Sequence, residues 1–198
     1  TIALAVLSGV LCAASFPKFG LPACAWIALS PLIVSAAQSA HPDRSLLRHP
    51  FTLGLISGMI YFGGTLYWLA GVMATYGDLS PWLSGLVAGR LASYLAVYPA
   101  VFAVLVARAV RQFGVPGVWL APCFWVATEW VRGSIGGGFP WVPLGASQAR
   151  VIPIVQLASV TGVYGLSTLV VLVATAASAV ALSRRRVHWV GLAAAGGL

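Results

Sequence analysis

Charge is scarce in this sequence. Its 198 residues include three acidic side chains, Asp43, Asp78 and Glu129, and Lys18 is the single lysine. So small a set of acids and bases leaves almost nothing for general acid–base catalysis. No His-Glu-x-x-His, no P-loop and no Gly-x-Ser-x-Gly is present, which removes the common metalloprotease, nucleotide-binding and hydrolase signatures. Cys12, Cys24 and Cys123 lack metal-type spacing and stand in or beside apolar runs. They read as small buried hydrophobes, not as a disulfide framework or a metal site. No cofactor and no metal is expected.

Apolar length is abundant instead. Hydrophobic residues make up 60% of the chain, charged residues 7%, and the mean hydropathy is +0.96. A soluble domain carries about 25% charged residues. The deficit means that lipid solvates most of the surface, as in an integral membrane protein. The net charge of +8 is not a nucleic-acid footprint, because the arginines fall in the gaps between apolar runs, where membrane topology places them.

A bilayer core of about 30 Å takes about 20 apolar residues as helix. The expected fold is therefore all-α, a polytopic transmembrane helix bundle of about seven spans. They fall at residues 1–16, 22–40, 51–75, 81–106, 116–131 and within 152–183, with a seventh starting near 187. The first and last spans read as truncated. With neither an initiator Met nor a basic n-region, no cleaved signal peptide is expected, and the chain reads as part of a longer protein. With the N-terminus in the cytoplasm, the inner connections hold Arg44, Arg48, Arg108, Arg111, Arg184, Arg185 and Arg186, and the outer ones Lys18, Arg132 and Arg150. The positive-inside rule favours this orientation. His41, His49 and His188 then lie on the cytoplasmic side as loop or interfacial residues. Arg90 lies about a third of the way into the fourth span. It either snorkels outward or faces a wet cavity.

The outer side gathers the unusual chemistry. Residues 133–153 are rich in Gly, Pro and Trp, and too long and too apolar for an ordinary turn. Such a loop is usually functional or disordered, and Phe139, Trp141 and Val142 argue against disorder. Just before it stand Glu129 and Arg132, three apart and so on one helical face. Two readings stay open for the pair: a structural ion pair at the interface, or a site that positions a lipid head group or the loop itself. Arg suits phosphate through its planar fork. Tyr67, Trp68, Trp82, Tyr94 and Tyr98 read as bundle packing or interfacial belt. Gly54 with Gly58, and Gly85 with Gly89, fit small-xxx-small helix contacts.

These residues carry a resemblance. Ala121-Pro122-Cys123-Phe124-Trp125, Thr128-Glu129-Trp130-Val131-Arg132-Gly133, Gly138-Phe139-Pro140-Trp141 and Leu144-Gly145-Ala146-Ser147-Gln148 resemble the apolipoprotein N-acyltransferase family. So do Gln156-Leu157-Ala158, Thr161-Gly162-Val163-Tyr164-Gly165-Leu166-Ser167, the Phe16-Pro17 corner with Trp26 and Pro31-Leu32, and Tyr67-Trp68 leading to Ala74-Thr75-Tyr76-Gly77. The resemblance implies a bacterial inner-membrane enzyme. Such an enzyme moves an acyl chain from a phospholipid to the N-terminal lipid-modified cysteine of a lipoprotein. It also implies eight transmembrane helices and a periplasmic nitrilase-like domain, inserted after the seventh span, whose Glu-Lys-Cys triad forms a thioester. None of this chain's cysteines matches that motif, so no catalytic residue is expected within residues 1–198, and this part alone is expected to be inactive. Its expected role is to hold lipid substrates and support the catalytic domain, with Glu129, Arg132, Phe139, Pro140, Trp141 and Gln148 as substrate-site residues. The expected partners are a phospholipid donor and a lipid-modified lipoprotein acceptor. The alternatives are a catalytically silent membrane scaffold or lipid-binding homologue, and a small transporter or channel.

Overall fold

A computed structural model describes residues 1–40, 45, 48–135 and 137–195, with side chains up to residue 183. Among the described residues the chain is helical and contains no strand. Helix α1 spans Ile2–Ala14. After a 3-10 turn at Pro22–Cys24 come α2 (Ala25–Ala28) and α3 (Ser30–Gln38). Then follow α4 (Arg48–Thr65), α5 (Trp68–Tyr76) and the 33-residue α6 (Pro81–Phe113). A 3-10 stretch, Val115–Leu120, leads into α7 (Ala121–Ser134). A further 3-10 turn, Leu144–Gln148, precedes α8 (Ile152–Val155) and α9 (Ala158–Ala195).

The expected helical membrane bundle is found, with different span boundaries. Two helices are long and apolar enough to cross a bilayer on their own, Pro81–Phe113 and Ala158–Ser183. The expected third span is two helices, α4 and α5, bent by 50° at their junction, and counts as a third crossing if the pair is one span. The apolar helices Ile2–Ala14 and Pro22–Gln38 are shorter. Length and composition thus account for up to three of the seven expected spans. No break separates a sixth from a seventh: α9 continues as helix through residues 184–195, and its one non-helical residue is Gly162 (φ 67°). The side chains of Arg184, Arg185, Arg186 and His188, and all of His41 and Arg44, lie outside the described residues.

The bundle is held by close backbone approach and by hydroxyls. Helix α4 packs most extensively on α6 and next on α1. Gly54 and Gly58 make this possible. A Cβ on Gly58 would lie 2.7 Å from the Ala96 Cα, and one on Gly54 would lie 2.5 Å from the Ala100 Cα. With no hydrophobic force between helices in lipid, such contact supplies the dispersion energy that joins them. Among the described residues the expected contact at Gly85 and Gly89 is absent, because a Cβ at either would meet open space. The same sequence pattern therefore has two meanings, depending on which side of the helix it occupies. Gly58→Ala should cost about 1–3 kcal/mol through overpacking. Gly89→Ala should stay within about 0.5 kcal/mol of the parent, as exposed substitutions do. Thermal unfolding of both variants in detergent checks this, and equal losses would refute it.

Serine hydroxyls add cross-links. Ser8 donates to the Ala28 carbonyl at 2.7 Å, Ser30 to Ala174 at 2.8 Å, and Ser178 back to Ser30 at 3.3 Å. These bonds tie α1 to α2 and α3 to α9 in a medium that offers no water to compete. Of the cysteines, Cys12 is buried as expected, whereas Cys24 is half-buried and Cys123 exposed. Ala121, Pro122 and Trp125 instead form the buried face of α7 at this level.

Candidate functional site

Glu129 and Arg132 share the buried face of α7, at 4% and 2% exposure. Of the two readings left open for the pair, the direct ion pair is not formed, and the contacts are those of residues that position the loop. Each holds the loop that follows. One carboxylate oxygen of Glu129 accepts from the Trp125 indole N–H at 2.7 Å and from the backbone N–H of Leu144 at 2.7 Å. The Arg132 guanidinium donates to the Trp141 carbonyl at 2.8 Å and lies 5.2 Å from the centre of the Phe62 ring. A buried charge is tolerable when hydrogen bonds replace its water, and backbone groups of the loop do much of that here. Among the described residues no hydrogen bond within bonding geometry reaches the second, buried carboxylate oxygen of Glu129, and the Ser167 side chain stands next to the carboxylate.

Tyr61 of α4 adds a third grip, donating its hydroxyl to the Val142 carbonyl at 2.7 Å. Residues 141–144 are thus held at three successive points by Arg132, Tyr61 and Glu129. The hold is tight enough to keep Val142 at φ 49°, a conformation rare for a β-branched residue. Strain of this kind persists only where the surroundings over-determine it. Beyond the grip, the turn at Leu144–Gln148 packs on α9. The Gly145 N–H donates to the Ser167 hydroxyl at 2.9 Å, and a Cβ on Gly145 would stand 2.7 Å from the Ser167 nitrogen.

Gln148 is fully buried. Its amide donates to the Pro22 carbonyl and to the Ser147 hydroxyl, each at 2.9 Å, while its carbonyl accepts from the Trp26 indole at 3.2 Å. It ties the loop to the start of the second apolar segment. Phe139 and Trp141 lie on the other side, with rings 5.7 Å apart and stacked. Trp141 also stacks on Trp68 of α5 at 5.3 Å and is 48% exposed. Pro140, between them, is exposed. The six expected residues therefore divide. Glu129, Arg132 and Gln148 are buried and hold the loop, whereas Phe139, Pro140 and Trp141 form its accessible surface.

A cavity of about 160 Å³ opens beside this surface, lined by Phe16, Lys18, Thr65, Tyr67, Trp68 and Val142 among others. The Lys18 ammonium lies 4.4 Å from the centre of the Tyr67 ring. Apolar walls and one cation converge there. Among the described residues no three His, Cys, Asp or Glu side chains gather at one point.

The profile of the family described as Apolipoprotein N-acyltransferase N-terminal domain matches residues 8–176. The chain belongs to the apolipoprotein N-acyltransferase family. Its similarity to the apolipoprotein N-acyltransferase of Geobacter metallireducens is 44% identity over 85% of this chain and 31% of that protein. The Nitrosomonas europaea apolipoprotein N-acyltransferase is 34% identical over 93% of the chain and 36% of its own length. For the one from Allorhizobium ampelinum the figures are 33%, 98% and 37%. The chain thus spans about a third of the length of the curated relatives it matches. The family match takes in the whole clamp, from Tyr61 through Ser167.

Tyr61, Ser167 and the indole of Trp26 were not singled out as site residues from the sequence. Tyr61 carries the one usable signal. A tyrosine in the middle of a span needs a partner for its hydroxyl.

Proposed function

We propose that residues 1–198 form the membrane part of a lipoprotein N-acyltransferase of the bacterial inner membrane, multi-pass with a cytoplasmic N-terminus. The intact enzyme transfers an acyl chain from a phospholipid to the amino group of a lipid-modified N-terminal cysteine. The ester bond to the glycerol breaks, an amide forms, and a lysophospholipid leaves. The nucleophile belongs to a nitrilase-like domain outside residues 1–198, and this part by itself does not catalyse the transfer.

The observation that carries this reading is the clamped loop. A segment of eleven residues, Gly138 to Gln148, is held by buried charges and presents stacked aromatics over an apolar cavity with one lysine. Withdrawing an acyl chain into water costs about 0.8 kcal/mol per buried CH₂. A rigid aromatic platform at the interface avoids that cost by receiving chains at bilayer depth. Phe139, Pro140 and Trp141 line this platform. Glu129, Arg132 and Gln148 serve the substrate indirectly, by fixing the loop. Lys18 places a positive charge where a phospholipid phosphate arrives.

The test is reconstitution in phospholipid vesicles with a peptide bearing a diacylglyceryl N-terminal cysteine. The complete protein should add one acyl mass to the peptide, and the 1–198 segment none. Acylation by the segment alone would overturn the division of labour. Inactivity of the folded complete protein would overturn the enzymatic reading and favour a silent scaffold.

A further inference from the structure

Arg90 has no role in the clamp, yet its position on α6 is informative. It and Arg108 are separated by eighteen residues, about 27 Å of helix. That length is close to the hydrocarbon thickness of a bilayer, about 30 Å. Residues 91–107 between them carry no charge. That spacing suits two arginines at opposite edges of the hydrocarbon, with Arg90 nearer the Pro81 end of α6. Arg90 is exposed and, among the described residues, has no hydrogen-bond or ion-pair partner.

Directly below Arg90 a groove runs between α6 and α7. It measures about 360 Å³ and is lined by Tyr94, Val97, Tyr98, Val101, Leu105 and Val131 among others. Tyr94 and Tyr98 follow Arg90 at intervals of four, so all three lie along one face of α6. Their hydroxyls are 2.8 Å apart and their rings meet edge to face at 5.7 Å. They fall about 6 and 12 Å below Arg90, in the range where a phospholipid turns from glycerol esters to acyl chain. From Tyr94 to Leu105 the groove follows about 16 Å of helix, about half of a 30 Å hydrocarbon core. On α7 the groove is bordered by Ala127, Thr128 and Val131, so it runs along the flank of the helix next to the buried face that carries Glu129 and Arg132, and it shares no lining residue with the cavity beside Trp68.

We infer that this groove is a binding site for one phospholipid of the leaflet on the Pro81 side, with its phosphate on Arg90, its ester region beside Tyr94 and Tyr98, and one acyl chain between α6 and α7. The charge match decides the occupant. A neutral helix laid in the groove would leave the guanidinium without an anion, whereas a phospholipid supplies the anion and the chain together. The site is separate from the proposed acyl-transfer platform and does not depend on catalysis.

The experiment places the complete protein in nanodiscs of phosphatidylethanolamine and phosphatidylglycerol, doped with a phospholipid carrying a mid-chain diazirine. Adducts are mapped by peptide mass spectrometry after irradiation. They should concentrate in residues 94–105 and 127–131. Val101→Trp, which fills the groove, and Arg90→Gln, which removes the phosphate anchor, should each lower labelling there on the order of ten-fold. Leu172→Trp, on the exposed face of α9, should leave labelling there unchanged. Adducts spread evenly over the exposed faces of α6 and α9, or indifferent to both groove variants, would overturn the proposal. So would efficient disulfide cross-linking of Val101→Cys to a cysteine elsewhere in the polypeptide or in a second copy, since protein would then occupy the groove. If Val101→Trp does not accumulate, the parent adduct map and Arg90→Gln decide the matter. Acyl transfer is read in parallel. Its loss with labelling unchanged would count against the proposed function and leave the lipid site standing.

Discussion

Glu129→Ala should destabilise the bundle severely and abolish any activity of the intact protein. The substitution removes the acceptor of two buried donors, the Trp125 indole and the Leu144 amide. Each buried donor left without a partner costs about 1–3 kcal/mol. The sum of about 2–6 kcal/mol is a large share of the 5–15 kcal/mol that holds a typical protein folded. In a chain of this size each kcal/mol corresponds to about 2–4 °C in Tm, so the midpoint should fall by about 5 °C or more. The loop should also lose its anchor at Leu144, and limited proteolysis should cut within residues 137–151 before it cuts the helices.

Glu129→Gln separates charge from hydrogen bonding. The glutamine keeps one carbonyl oxygen for Trp125 and Leu144 and places an amide where the second carboxylate oxygen stood. If hydrogen bonding is the main contribution, this variant should keep most of the stability and of the loop's protease resistance. If it falls as far as alanine, the charge itself is required, and the field between Glu129 and Arg132 matters more than the bonds. An alanine variant with an unchanged midpoint would refute the clamp.

The sequence marked the right neighbourhood and left its wiring open between an ion pair and a hold on the loop. Hydropathy and composition were sufficient for a helical membrane bundle, because a charge content this low has no soluble solution. Aromatic content foretold that the segment after α7 is folded. The spacing of Glu129 and Arg132 put them on one face, which is correct. It could not choose between the two readings or name the backbone groups, which lie 15 residues beyond Glu129 and 9 beyond Arg132. Periodicity describes one helix, while loop carbonyls and amides enter from outside that description. The Gly-xxx-Gly patterns show the same limit, since Gly58 meets Ala96 and Gly89 meets none of the described residues. The bend between α4 and α5 left no trace in hydropathy, because Leu66 and Tyr67 continue the apolar run. Gln148 lay in a recognisable motif, but its burial depends on Pro22 and Trp26, which stand 126 and 122 residues away.

Trp141→Ala tests the accessible side of the same loop, and its effect should be opposite in kind. Trp141 is 48% exposed, and its carbonyl, not its side chain, is held by Arg132. Truncation leaves the three grips on residues 141–144 in place and removes the ring stacked between Phe139 and Trp68. An aromatic pair contributes about 0.5–1.5 kcal/mol beyond its area, so abundance and Tm should change little. Turnover should fall much further. A platform that positions an acyl chain acts on reaction geometry, where a displacement of about 1 Å costs on the order of 100-fold. Trp68→Ala should give a similar loss, and the double variant should lose less than the product of the two, because the rings act as one surface. Vesicle-based acyl transfer, normalised to folded protein, reads this directly. Turnover within about two-fold of the parent would remove Trp141 from the platform, since so small a change lies below what the loss of a positioning contact produces. Equal losses of Tm and turnover would make the ring a packing element of the bundle. The platform reading therefore requires a Tm near the parent's together with a turnover far below it.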